Sequence, residues 1–150
     1  MRRVSLLLAV LSILVLANSP AASDDGDVAE YIRAHYTKFE YRIPMRDGVE
    51  LFTVAYVPND ASERRTYPIL LARSPYSVGP YGVDRYPESL FLPEEMAREG
   101  YIFVEQDVRG RFMSEGQFVN MRPHREDKNG PQDIDESTDT YDTVDWLWRT

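Results

Sequence analysis

The sequence has no cysteine and only two histidines, His35 and His124, in 150 residues. The absence of cysteine excludes a disulfide framework, a thiolate zinc site, a cysteine nucleophile and a lipid-modified cysteine anchor. Positive charge is scarce as well: 17 Lys and Arg stand against 25 Asp and Glu, a formal charge of −8. Nucleic acid and anionic lipid both need clustered Lys and Arg, so neither fits as a partner. Long apolar runs are missing too. The longest, from Val4 to Ala17, falls short of the roughly 20 residues that span a bilayer comfortably, so a stable membrane anchor is not expected, an uncleaved anchor being the other reading of the run.

What is present is globular in kind: 43% hydrophobic, 12% aromatic and 28% charged residues, enough to bury a core. Arg2 and Arg3 precede the apolar run, and Asn18 to Ser23 are mostly small residues followed by acidic ones. That is the layout of a secretory signal peptide, residues 1–23, with Ala21 and Ser23 at the two positions a signal peptidase reads. An exported protein, periplasmic or extracellular, is therefore expected. Removing Arg2 and Arg3 with the leader leaves a charge of −10.

Strands come first in the remaining chain. Phe39 to Pro44 and Val49 to Val57 are β-type runs joined by Met45-Arg46-Asp47-Gly48, and Asp-Gly between such runs signals a hairpin. The continuous apolar run Tyr67 to Ala72 predicts a strand covered on both faces. A Gly-, Pro- and Tyr-rich loop follows from Ser77 to Pro87. Glu94 to Glu99 reads as a helix stopped by Gly100, and Tyr101 to Gln106 as a second buried strand. Strand, helix and strand at this spacing predict a parallel crossover. After an irregular polar stretch, a helix begins near Asp135, with Tyr141, Val144, Leu147 and Trp148 on one apolar stripe. The expected fold is α/β, an antiparallel hairpin leading into parallel strands with crossover helices. Such a sheet needs more strands to cover its helices, so the chain is expected to be the amino-terminal piece of a longer protein.

Four ordered blocks carry a resemblance. They are Ile43 to Val49 running into Leu51-Phe52-Thr53; Pro68 to Tyr76; Asp107-Val108-Arg109-Gly110-Arg111 with Ser114-Glu115-Gly116; and Asp139 to Leu147. Together they resemble the serine hydrolases that include cocaine esterase, α-amino-acid ester hydrolases, glutaryl cephalosporin acylases and X-Pro dipeptidyl-peptidases. Phe118 to Pro123 is most similar to the α-amino-acid ester hydrolase branch. The resemblance implies an α/β-hydrolase domain starting at residue 39, here cut before its nucleophile elbow. It implies an amino-terminal arm at 24–38, used for homo-oligomer contacts in some relatives. It also implies acyl-enzyme cleavage of a small ester, an amide or a short peptide; no cofactor and no metal are expected, calcium alone being left open.

The elbow serine of that family follows a Gly-X-Ser pattern that is absent here, and Ser114 has its nearest upstream glycine, Gly110, four residues away. The family order is Ser, Asp, His, so His35 and His124 lie upstream of any triad. Nucleophile, acid and base are therefore not expected among these residues, and a piece of this length should be inactive alone. One catalytic role does carry over by block alignment: Tyr76 as the hydroxyl donor of the oxyanion hole. A fixed donor to the tetrahedral oxyanion supplies about 3 kcal/mol of transition-state stabilisation.

Other residues admit two readings each. Asp107, Arg109 and Arg111 could bind a substrate carboxylate, but an ion pair fixing the loop is the simpler role, and Arg73 could hold the Tyr76 loop. Tyr81 and Tyr86 either line an acyl pocket or cover the core. Asp133, Asp135, Glu136 and Asp139 are either a solvated helix start or oxygen ligands for Ca²⁺. The alternative to a hydrolase is a secreted binding or vestigial protein that keeps the hydrolase scaffold without its chemistry.

Overall fold

The computed structural model describes residues 24–91 and 93–150. The expected leader, 1–23, lies outside the described residues. Seven elements follow in order: α1 (Asp24–His35), β1 (Tyr36–Pro44), β2 (Glu50–Pro58), β3 (Ile69–Ser74), α2 (Glu94–Glu99), β4 (Ile102–Asp107) and α3 (Glu136–Arg149). Among the described residues no helix is long and apolar enough to cross a membrane.

The hairpin forms where Asp-Gly places it. β1 and β2 pair antiparallel with Ile43 opposite Leu51, and the turn closes by Met45 N–H to the Val49 carbonyl at 2.8 Å. Gly48 takes φ +85° there, a value that penalises any side chain. β3 and β4 run parallel, Ile69 opposite Ile102 and Ser74 opposite Asp107, with α2 in the connection between them. β4 also pairs antiparallel with β2, giving the sheet order β1-β2-β4-β3. The α/β expectation holds, hairpin and parallel crossover included.

Burial follows the order. β2 lies between β1 and β4, so every residue from Leu51 to Tyr56 is buried. The main core joins Ile32, Tyr36, Val54, Tyr56, Val78, Leu90, Ala97 and Phe103. A smaller cluster of Ile43, Met45 and Leu51 packs against Trp146 of α3. Within the expected arm, α1 is helical because Val28, Ala29 and Ile32 recur on one face and pack into this core.

One expectation on packing is corrected. β3 is an edge strand only partly covered, with Ile69 exposed, instead of a strand buried on both faces. On α3, Thr138, Asp139 and Thr143 are buried, while Tyr141, Val144 and Trp148 of the apolar stripe are exposed. The reason is a polar layer beneath the helix. Thr143 Oγ1 accepts from Gln106 Nε2 at 2.9 Å, and Gln106 Nε2 also donates to Thr53. Among the described residues, α3 docks through this polar face together with Trp146.

Candidate functional site at the carboxyl ends of the parallel strands

Because Ser74 and Asp107 pair at the ends of β3 and β4, the loops that follow leave from one edge of the sheet. Open α/β sheets place their ligand-binding groups at this edge. Tyr76 stands two residues past β3 and is 84% exposed. Its backbone N–H donates to Ser74 Oγ at 3.0 Å. The carbonyl of the preceding Pro75 accepts from Arg111 Nε, also at 3.0 Å. The loop is thus fixed while the phenol faces solvent.

Asp107 is fully buried. Its Oδ1 accepts from Val78 N–H at 3.1 Å, and its Oδ2 accepts from the Tyr81 hydroxyl at 3.0 Å and from Met113 N–H at 3.3 Å. Burial pushes its pKa up, and these donors offset only part of that. Asp107 and Arg109 do not pair with each other. The Asp107 carbonyl takes a hydrogen bond from Ser114 Oγ, which itself accepts from Phe52 N–H at 2.8 Å. The Ser114 hydroxyl is therefore engaged by two backbone groups.

Arg109 grips Asp139 through Nε at 3.0 Å and Nη2 at 2.7 Å, and reaches Asp47 through Nη1 at 2.8 Å. Burial disfavours its charge, but these two carboxylates outweigh burial and raise its pKa. The hairpin turn, the β4 loop and α3 are joined at this one side chain. Arg73 donates to Gln106 Oε1 at 2.8 Å, to Thr140 Oγ1 at 2.9 Å and to the Glu136 carbonyl at 3.1 Å. Its bonds thus go to β4 and α3, and the bond to the Tyr76 loop comes from Arg111. Burial lowers the Arg73 pKa despite Asp139 and Glu136 nearby.

Tyr81 and Tyr86 both turn their hydroxyls inward. Tyr86 donates to the Tyr36 carbonyl at 3.1 Å and accepts from Lys38 N–H, while the Tyr81 ring meets Phe52 edge-on at 5.4 Å. Lys38 is a residue that sequence reasoning missed. Its buried ammonium donates to the carbonyls of Pro80, Gly82 and Arg85 and lies 3.1 Å from Glu40. The available signal was its phase: Tyr36, Lys38 and Glu40 share one face of β1.

The four acidic residues at the start of α3 have protein partners. Asp135 caps the helix through Thr138 N–H and pairs with Lys128 at 2.9 Å. Asp133 accepts from the backbone of Asn129 and Gly130 and pairs with Arg125. Glu136 lies 3.3 Å from Arg73, and Asp139 holds Arg109. Of the histidines, His124 lies 3.2 Å from Asp135. His35, the last residue of α1, packs in a tilted contact with Tyr31 just before β1, whose start pairs with the end of β2. That is the end of the sheet opposite Tyr76.

Comparison with known proteins agrees with this architecture. The family model described as X-Pro dipeptidyl-peptidase (S15 family) matches residues 47–150. Cocaine esterase of Rhodococcus sp. (strain MB1 Bresler) is 36% identical over 105 residues, covering 70% of this chain and 15% of the esterase. A solved α-amino acid ester hydrolase superposes with TM-score 0.61 at 33% identity, over 93% of this chain and 22% of that one. An aminopeptidase from a marine sediment archaeon, Thaumarchaeota archaeon, superposes with TM-score 0.62 at 32% identity, with the same coverage. This sequence spans less than a quarter of the length of each of these relatives. The fold is that of the amino-terminal part of an α/β-hydrolase, and the chain belongs to the X-Pro dipeptidyl-peptidase (S15) family.

Proposed function

We propose that this chain is the amino-terminal part of an exported serine hydrolase that cleaves esters, amides or short peptides through an acyl-enzyme. Tyr76 is its oxyanion donor. The observation that carries the reading is an exposed phenol on a loop pinned from both sides at the carboxyl edge of β3. When a serine oxygen adds to a substrate carbonyl, the C=O π electrons move to oxygen, and a donor already in place stabilises that charge without reorganising. The family membership supports the hydrolase class, and the relatives' names, an esterase, an ester hydrolase and an aminopeptidase, support ester and amide substrates.

The nucleophile and its base lie outside these 150 residues, since no Gly-X-Ser elbow occurs in them. Replacing Tyr76 with Phe in the complete hydrolase removes the donor alone. The expected result is a fall in kcat of about 10²- to 10³-fold on a p-nitrophenyl ester, with an unchanged melting temperature. A variant that turns over at the parent rate overturns the oxyanion role. The 150-residue piece alone should release no p-nitrophenol above background.

A further inference from the structure

An oxyanion donor is useful only if held in place, because a misplacement of about 1 Å costs on the order of 10² in rate. The backbone beside Tyr76 is demanding in this respect. Ser77 has φ +87°, a left-handed conformation that a residue with a side chain adopts only when its surroundings enforce it.

The surroundings can be followed atom by atom. The Tyr81 hydroxyl has one proton, which goes to Asp107 Oδ2 at 3.0 Å. The 2.9 Å contact between Ser77 Oγ and the Tyr81 oxygen therefore runs with Ser77 as donor. Ser77 Oγ in turn accepts from Gly79 N–H at 3.1 Å. A directed chain thus runs from Ser77 to Tyr81 and ends on a buried carboxylate, which takes Val78 N–H on its other oxygen. Asp107 belongs to β4 at the position paired with Ser74, and Ser74 Oγ accepts from Tyr76 N–H. Both neighbours of the Pro75-Tyr76 pair are therefore referred to the same strand end.

The geometry points to Tyr81 and Asp107 as positioning residues for the Tyr76 hydroxyl, acting through the Ser77-Val78 backbone and without touching substrate. This rests on the oxyanion reading of Tyr76 and adds to it the device that fixes the donor. It also distinguishes Tyr81 from a pocket residue, because its polar end is spent inside the loop.

The test is a double-substitution cycle in the complete hydrolase, with kcat and KM measured on a p-nitrophenyl ester. Tyr81→Phe keeps the ring against Phe52 and removes only the hydroxyl. Expected is a drop in kcat of about tenfold with KM within about twofold. The same substitution added to Tyr76→Phe should cause no further drop, since the donor it positions is already gone. Asp107→Asn should behave likewise with a larger drop. Where that variant fails to fold, Tyr81→Phe carries the test.

Equal fold-losses in both backgrounds would overturn the inference while leaving the oxyanion role standing. A rise in KM at constant kcat would overturn it in favour of a substrate contact. Parent-like kinetics for Tyr81→Phe would show that the loop holds without the chain. If Tyr76→Phe itself is fully active, the proposed function falls, and the inference falls with it.

Discussion

Arg109 and Asp139 meet in a two-point grip, with Nη2 to Oδ1 at 2.7 Å and Nε to Oδ2 at 3.0 Å, and both side chains are nearly solvent-free. The same guanidinium holds Asp47 of the hairpin turn at 2.8 Å. Removing one partner of such a pair leaves uncompensated buried charge, which costs more than the pair itself contributes. Arg109→Met, which strands two carboxylates, should lower unfolding free energy by about 3–5 kcal/mol in urea titrations of the protein. A loss below about 1 kcal/mol would show that Asp47 and Asp139 relax to solvent instead.

The cap of α3 makes a second, pH-dependent prediction. Burial alone would raise the Asp135 pKa, but N–H groups of Arg125 and Thr138, the Ser137 hydroxyl and Lys128 together hold it well below 3.8. A depressed carboxylate contributes stability that is complete above its unfolded value and is lost as pH falls through the folded one. Asp135→Asn keeps an acceptor for Thr138 N–H but carries no charge, and Asp135→Ala also loses the cap, worth about 1–2 kcal/mol. Melting curves should show the parent above Asp135→Asn at pH 7, with the gap closing below about pH 3.8. A gap independent of pH would mean that the carboxylate charge contributes nothing.

Glu105 behaves oppositely. It sits in β4 between Val54 and Ala72, and burial pushes its pKa up to about 7, against the pull of Lys38 and the Phe91 N–H. A raised carboxylate favours the folded state fully below its unfolded value of 4.5, and that contribution is lost as pH rises through 7. Glu105→Gln removes the titration. It should leave stability unchanged near pH 4 and raise it by about 2 kcal/mol at pH 8, allowing for the part of the side chain still in water. Parallel melting profiles from pH 4 to pH 8 would show that Lys38 fully compensates the ionised form.

These sites also mark how far the sequence could be read. The hairpin and the crossover were legible because their turns take positive φ, which Gly48 and Gly100 adopt without a side-chain penalty. The buried face of α3 was not, because Thr138, Asp139 and Thr143 look like a solvated face until Gln106 and Arg109 are seen beneath them. Lys38 was hidden for the same reason: a lone lysine in a strand gives no hint that three loop carbonyls surround it. Tyr76 stood out only through the resemblance of its block. The link from Asp107 to Val78 and Tyr81 joins the end of β4 to a loop more than 25 residues earlier, and no local periodicity encodes such a bond.

Two glycines with similar backbone angles separate conformational strain from crowding. Gly48 has φ +85° and nothing within 4 Å of where a Cβ would stand, so Gly48→Ala should cost about 1–2 kcal/mol, the left-handed penalty alone. Gly110 has φ +70°, but its Cβ would lie 2.1 Å from Phe118 N and 2.5 Å from the Gln117 carbonyl carbon, both backbone atoms that cannot rotate away. Gly110 N–H also donates to the Glu115 carbonyl at 2.8 Å, so the loop closes back on this residue. Gly110→Ala must open that closure, and with it shift Arg111, whose guanidinium holds Pro75 and packs near the rings of Phe112 and Phe118. In the complete protein, Gly110→Ala should therefore lose clearly more stability than Gly48→Ala, by about 2 kcal/mol or more, and under the proposed hydrolase function should also lower kcat. Equal losses from the two substitutions, with kcat intact, would show that the loop after β4 yields to the added methyl without disturbing the Tyr76 edge.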